Sequence, residues 1–154
     1  MQSTPTAPTL KVLETPPFDK AQGTPQFKPY GRPLSEIISD LSKPLPERFL
    51  SHRKQGGKNL TYISWHHANR LMDYFTGGGW EGSVATTHTT PDEVYITYRV
   101  TIHTQEGHIS REATGSEKLA NNAWGEAIAK AESQAFRRAC ARFRLALYLY
   151  DGDN

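Results

Sequence analysis

Basic side chains crowd into the last part of the chain, in a segment whose apolar periodicity predicts a long helix from about Leu119 to Phe143. From residue 127 to residue 150 this segment has five cations and one acid, Glu132, although the whole chain carries a formal net charge of only +2. The cations are Lys130, Arg137, Arg138, Arg142 and Arg144. Guanidinium groups at helical spacing suit phosphate oxygens, because each presents planar, bidentate donors. The segment therefore predicts an anion-binding surface.

These cations fall into two groups around the predicted helix. Lys130, Arg137 and Arg144 recur every seven residues and form one basic stripe opposite the centre of the apolar face. Arg138 and Arg142 are four residues apart and border the apolar face, where they would edge a groove. The apolar face is predicted to consist of Ala120, Trp124, Ala127, Ile128, Ala131, Ala135, Ala139 and Phe143. Because basic stripes are often merely solvated, this feature alone leaves nucleic-acid binding and a solvated face equally open.

The other polar residues form no pattern that is typical of catalysis or of metal binding. Glycines 77–79 lack the Lys-Ser/Thr of a phosphate-binding loop and precede a predicted strand. Cys140 is the single cysteine, so an intramolecular disulfide is excluded and a small buried side chain is expected. Six histidines are scattered without paired ligand spacing: His52, His66, His67, His88, His103 and His108. We therefore predict a protein that is not an enzyme and uses no metal or cofactor.

Two short helices are predicted ahead of the strands. Residues 34–41 have apolar side chains at helical spacing and stop before a Lys-Pro-Leu-Pro segment. A second helix is predicted from Trp65 to Phe75, with Ser64 as its N-cap and the glycines 77–79 at its end. Both helices are amphipathic, which predicts that each packs one face on a common core.

The segment between these helices, residues 51–58, is predicted to be a basic loop broken by two glycines, followed by a short strand at 60–63. The loop carries Arg53, Lys54 and Lys58. Three further strands are predicted at residues 80–88, 94–104 and 108–114, separated by turn residues. The middle strand alternates apolar and polar side chains, which predicts an antiparallel meander with one buried face.

The chain is long enough for one domain, and its first 33 residues are predicted to lie outside that domain as a disordered tail. They contain seven of the ten prolines and no apolar period. Residues 34–151 then form a single α+β domain, in which a β-β-β-α meander is preceded by short helices and covered by the long helix. No apolar run could span a bilayer, and neither a signal peptide nor a transit peptide is favoured. We expect a cytoplasmic protein, nucleoid-associated if bacterial, without membrane contact.

Taken in order, these motifs resemble the DNA-annealing domain of the Rad52 family, the single-strand annealing proteins of homologous recombination, including shorter bacterial and phage relatives. The resemblance covers most of residues 34–151. The resemblance rests on five motifs, taken in chain order. The first three are Arg53 with the following Gly-Gly and Tyr62-Ile63, then Ala68-Asn69 with Phe75, and then Gly79-Trp80. The last two are the three-strand meander and the closing stretch Ala-Phe-Arg-Arg-Ala…Arg-Phe…Leu-Tyr-Leu-Tyr-Asp. The closing stretch is the most specific of these motifs.

The resemblance implies protomers joined into a ring, with single-stranded DNA in a positively charged groove around its outside. The phosphate backbone would be held at an inner site, so that the bases stay free to pair. By position, that site would consist of Arg53, Tyr62, Arg137 and Arg138. The family has a further arginine in this site, and Arg142 stands one position away from where it falls.

An outer DNA site is less complete in this chain. Lys118 matches one position of this outer site. A second position, where the family has a lysine, falls near the acidic residue Glu93 in this chain. Arg144 stands where the family usually has glycine. Further phosphate contacts are predicted on charge alone for Lys54, Lys58, Lys130 and Arg144.

The predicted function is ATP-independent annealing of complementary strands in homologous recombination and DNA repair by a homo-oligomeric ring. Its predicted partners are single-stranded DNA and, with weaker support, a single-strand binding protein or a recombinase. The alternative is a structural or adaptor module whose basic helix packs in an oligomer interface or against an acidic partner. A small nuclease that uses histidines such as His67 is a third hypothesis.

Overall fold

The computed structural model describes residues 27–120 and 123–151, which form a mixed α+β domain as predicted. The elements in chain order are α1 (Leu34–Leu41), a 3-10 turn (Glu47–Phe49), β1 (Leu50–Gln55), β2 (Lys58–Ile63), α2 (Trp65–Thr76), β3 (Trp80–Thr89), β4 (Glu93–Thr104), β5 (Gly107–Lys118), α3 (Trp124–Arg142) and a second 3-10 turn (Leu147–Tyr150). Strands β3, β4 and β5 form an antiparallel sheet in that order, while β1 and β2 pair separately. The predicted meander is therefore confirmed.

One face of the meander is buried because β4 alternates along its length. Val94, Ile96, Val100 and Ile102 are each no more than 1% exposed. The polar positions between them lie on the opposite face, where the Arg99 guanidinium pairs with a carboxylate of β5. Helix α3 covers the buried face, as the predicted architecture requires.

The predicted basic loop at residues 51–58 is instead a β-hairpin, so this prediction was wrong. Gly56 and Gly57 both have positive φ, of 58° and 77°, and they form the two-residue turn between β1 and β2. Two consecutive left-handed residues give a turn whose twist matches that of the paired strands. Arg53 and Lys54 therefore lie on a strand, and strand alternation sends their side chains to opposite faces of the hairpin.

The long helix begins five residues later than predicted. Leu119 does not start it, because its N–H donates to the carbonyl of Asp92 in the β3–β4 turn. The helix ends at Arg142, and Arg144 lies beyond it with a φ of 84°. The predicted stripe of three cations along one helix is therefore wrong at its last member.

The predicted apolar face of α3 is wrong at its N-terminal end. Trp124 is 50% exposed and Ile128 is 37% exposed, whereas Phe136 and Cys140 are buried. The buried face shifts around the helix because its neighbours change along its length. Small residues of its first half pack on the sheet, and Phe136 and the residues after it enter the main core between the sheet and α2.

A close approach between α3 and β5 fixes the height of the helix above the sheet. Gly115 lies directly beneath Ala131 and Ala135. A Cβ atom at Gly115 would meet the backbone carbonyl of Ala131, and it would lie 2.7 Å from the backbone nitrogen of Ala135. The residues on either side of Gly115 also contact the helix. Arg138 Nη1 donates to the Thr114 carbonyl at 2.7 Å. The free edge of β5 is thereby covered by α3.

The predicted disordered tail is wrong at its end, since residues 27–33 pack on the domain. The Arg32 side chain is only 13% exposed, and its Nη1 lies 2.8 Å from Oδ2 of Asp40. Its Nη2 donates to the Phe75 carbonyl at 2.6 Å. The rest of the predicted tail, residues 1–26, lies outside the described residues.

We expect Gly115→Ala to lower the free energy of unfolding by about 2 kcal/mol, because the added methyl group meets backbone atoms that cannot rotate away. Chemical denaturation measures this loss. Gly125→Ala is the matched control, since a Cβ at Gly125 meets nothing within 4 Å. A similar loss in both variants would contradict the close approach.

Candidate functional site

An aromatic ring of the hairpin carries two guanidinium groups. The pairing of Arg53 with Leu60 and strand alternation place Arg53 and Tyr62 on the same face of the hairpin. The Arg53 guanidinium lies 5.2 Å from the centroid of the Tyr62 ring, and that of Arg137 lies 5.0 Å from it. Both distances are within the range of cation–π contacts. Tyr62 therefore connects a cation of the hairpin with a cation of α3.

Arg137 is half-buried between α3 and the hairpin. Its Nε donates to the Ser133 carbonyl at 3.2 Å and its Nη1 to the Ile63 carbonyl at 3.4 Å. Burial lowers the pKa of the Arg137 guanidinium, and the nearby charge of Arg53 lowers it further. An arginine side chain nevertheless stays protonated in a protein. Arg137 was predicted to lie on a basic stripe opposite the apolar face, and packing of the hairpin against the helix partly covers it.

The four residues predicted for an inner site meet at one place. Arg53, Tyr62, Arg137 and Arg138 line a single cavity of about 130 Å³, although they come from three elements, β1, β2 and α3, the last of which is far from the others in sequence. Its apolar wall consists of side chains from β2 and from the segment after α3, such as Leu145. Within residues 27–120 and 123–151, no carboxylate pairs with any of the three arginines.

Two larger cavities adjoin this one along α3. The cavity toward the helix N-terminus has about 430 Å³, shares Arg53, Tyr62 and Arg137 with it, and adds Lys130. The cavity toward the C-terminus has about 650 Å³ and shares Arg138. It is lined by four arginines: Arg111, Arg138, Arg142 and Arg144. We call the three adjoining cavities the cationic groove.

Arg111 is a member of the groove that the sequence reasoning missed. Its Nη1 donates to the Arg142 carbonyl, and its guanidinium lies 4.7 Å from the centroid of the Phe143 ring. A cation at this position satisfies a carbonyl at the end of α3 and interacts favourably with the helix dipole. The only signal in the sequence was a basic residue on β5, a strand that the helix was expected to cover.

Three of the predicted lysines meet one inner-site residue, Arg53, outside the central cavity, and Lys130 also lines the groove. Lys54, Lys118 and Lys130 line a further hollow together with Glu93 and a second acid. The Glu93 and Lys118 backbones are paired across β4 and β5. Lys58 is exposed beside the hairpin turn. This hollow therefore has a mixed charge, unlike the central cavity of about 130 Å³.

Lys130 is the one predicted lysine that forms an ion pair within the described ranges. Its Nζ lies 2.9 Å from Glu126 Oε1, one helical turn away. The hydrogen bond to Glu126 raises the pKa of Lys130, and the same hydrogen bond lowers the pKa of Glu126. Both side chains are exposed, so the pair adds little to stability and leaves the lysine available to an anion.

The described part of the chain has neither a metal-binding cluster nor a membrane-spanning helix. No three histidine, cysteine or acidic side chains come together there in an arrangement that could hold a metal ion. No helix there has the length and apolar character needed to cross a membrane.

The fold and the groove define a class of protein, an α+β domain whose long helix and projecting hairpin enclose a row of arginines. Residues 34–154 match the model of a family described as Rad52/22 family double-strand break repair protein. The chain belongs to this family.

Two relatives from Arabidopsis thaliana are similar over most of the chain. DNA repair RAD52-like protein 1, mitochondrial, is 41% identical over 124 residues, which cover 79% of this chain and 70% of the relative. DNA repair RAD52-like protein 2, chloroplastic, is 36% identical over 138 residues, which cover 87% of this chain and 67% of the relative. The family identified from the sequence motifs is thus confirmed.

We expect Tyr62→Leu to lower the free energy of unfolding by about 1 kcal/mol, because it removes the ring that faces two guanidinium groups. Tyr62→Phe is the matched control and should stay within about 0.5 kcal/mol of the wild type, since it keeps the ring. Urea denaturation compares the variants. Equal losses in both would show that the hydroxyl group, rather than the ring, holds the hairpin to α3.

Proposed function

We propose that this protein binds single-stranded DNA through its phosphate backbone and anneals complementary strands in recombination and repair, without ATP. The observation that carries the proposal is the meeting of Arg53, Tyr62, Arg137 and Arg138 at one cavity. Membership of a family described by double-strand break repair supports the same role.

The chemistry of the groove suits a ligand that is recognised by charge. Annealing requires a protein that neutralises phosphates without reading bases, because a base-specific grip would compete with pairing. Guanidinium groups bind phosphate oxygens through charge and paired hydrogen bonds, without contacting the bases. Arg53 and Arg137 share one ring and have no acidic partner among the described residues, so a phosphate between them would relieve their mutual repulsion.

The proposed contacts follow the groove. Arg53, Arg137 and Arg138 hold the phosphates at its centre, and Tyr62 fixes the orientation of the first two. Arg142 and Arg144 extend the contacts toward the end of α3, where Arg111 secures the helix terminus. Lys54, Lys58, Lys118 and Lys130 form a weaker outer part, since acids share the hollow of three of them.

The assembly and setting of the protein are also proposals. We propose a homo-oligomeric ring, in which the groove of each protomer continues into that of the next. A single-strand binding protein or a recombinase is the proposed protein partner. A cytoplasmic location stays a prediction, because the two relatives carry organelle names.

We expect Arg137→Ala and Arg138→Ala each to weaken the binding of single-stranded DNA and to lower the slope of log affinity against log salt by about 0.7. The double variant should lower the slope by about 1.4 and lose the acceleration of annealing. Fluorescence anisotropy gives the slopes, and energy transfer between complementary labelled strands gives the annealing rate. No nucleotide or metal is added.

Arg48→Ala is the matched control, because Arg48 carries the same charge but is outside the lining of the three cavities of the groove. It should leave the slope and the rate nearly unchanged. Unchanged slopes in the Arg137 and Arg138 variants would contradict the proposal. Loss of assembly with retained DNA binding would instead support the adaptor alternative.

A further inference from the structure

A large aromatic side chain is left exposed at the edge of the cationic groove. Trp65 is the first residue of α2 and is 55% exposed. Among the described residues its only ring contact is a perpendicular one with His66, with centroids 5.9 Å apart. The next turns of the same helix bury their apolar side chains completely. The core therefore does not account for a tryptophan at this position.

Trp65 lines two cavities, and one of them belongs to the groove. Trp65 lines the cavity of about 430 Å³ that also contains Arg53, Tyr62 and Arg137. The part of α3 that lines this cavity includes the small residues Ala129 and Ser133, which leave room beside the indole. A planar group entering this cavity would lie next to the cations proposed to hold phosphates.

We propose that Trp65 stacks on one nucleobase of a single strand whose phosphates are held by Arg53 and Arg137. This inference rests on the proposed function and names a further binding residue for it. An aromatic side chain beside a cationic track is the usual arrangement for binding single strands without sequence preference, since every base has a π-face. The ring of Tyr62 already faces two guanidinium groups, whereas that of Trp65 faces none among the described contacts.

The polar groups around the cavity suit a base without selecting one. Ser64, Ser133 and Gln134 offer both hydrogen-bond donors and acceptors. The acids of this cavity are Glu117 and Glu126, and the second is paired with Lys130. One stacked base per protomer would fix the position of the strand and leave the other bases free to pair.

Equilibrium binding of labelled oligothymidylate across a salt series tests the inference. Trp65→Ala should weaken binding about tenfold at every salt concentration with an unchanged salt slope, because stacking releases no counterions. Trp65→Phe should recover most of the affinity. Trp124→Ala is the matched control, since Trp124 is similarly exposed, at 50%, but is outside the lining of this cavity. It should bind like the wild type.

Tryptophan fluorescence gives a second readout. Wild-type emission should be quenched on binding oligothymidylate, and the quenching should disappear in Trp65→Phe but persist in Trp124→Phe. Unchanged affinity in Trp65→Ala together with unchanged quenching in Trp65→Phe would overturn the inference. A change of assembly size in Trp65→Ala, measured by light scattering, with unchanged affinity per protomer would also overturn it and assign the residue to a contact between copies.

The failure of this inference differs from the failure of the proposed function. If Arg137→Ala and Arg138→Ala lower the salt slope while Trp65→Ala binds normally, only the stacking residue is wrong. If the arginine variants also bind normally, the phosphate site itself is wrong.

Discussion

The close approach of α3 to β5 at Gly115 is the contact on which the rest of the structure depends. Only glycine allows the backbones of Ala131 and Ala135 to lie this near the strand. On one side of this contact the Arg138 guanidinium bonds the Thr114 carbonyl, and on the other the Gln134 amide accepts from the Ser116 N–H at 2.7 Å. The helix is therefore held along the free edge of the sheet. The next turn of α3 then meets the hairpin, where Arg137 reaches Tyr62.

Three arginines of the groove, Arg53, Arg137 and Arg138, have no carboxylate partner among the described residues. Burial and a neighbouring arginine disfavour the charged form of Arg137, yet an arginine cannot release its proton in a protein. The ring of Tyr62 supplies a partial compensation through its π-face. The proposed phosphate contacts would add a further compensation. The double-strand break repair family of the chain and this arrangement both support the proposed nucleic-acid ligand.

Sequence reasoning recovered the meander, the covering helix and the family, because the strong period-two pattern of β4 and the closing arginine motif are local signals. The hairpin was missed because its strands are mostly polar, although Gly56-Gly57 was a usable turn signal. The shift of the buried face along α3 could not be read from a helical wheel, since it depends on which neighbour lies beneath each turn. Arg111 was missed for the same reason: its partner, the end of α3, is distant in sequence.

The most direct test of the account is a structure of the protein bound to an oligothymidylate by cryo-electron microscopy. The account predicts phosphate oxygens within hydrogen-bonding distance of Arg53, Arg137 and Arg138, with most bases facing solvent. A strand bound elsewhere, with these three arginines instead packed against a neighbouring protomer, would contradict it.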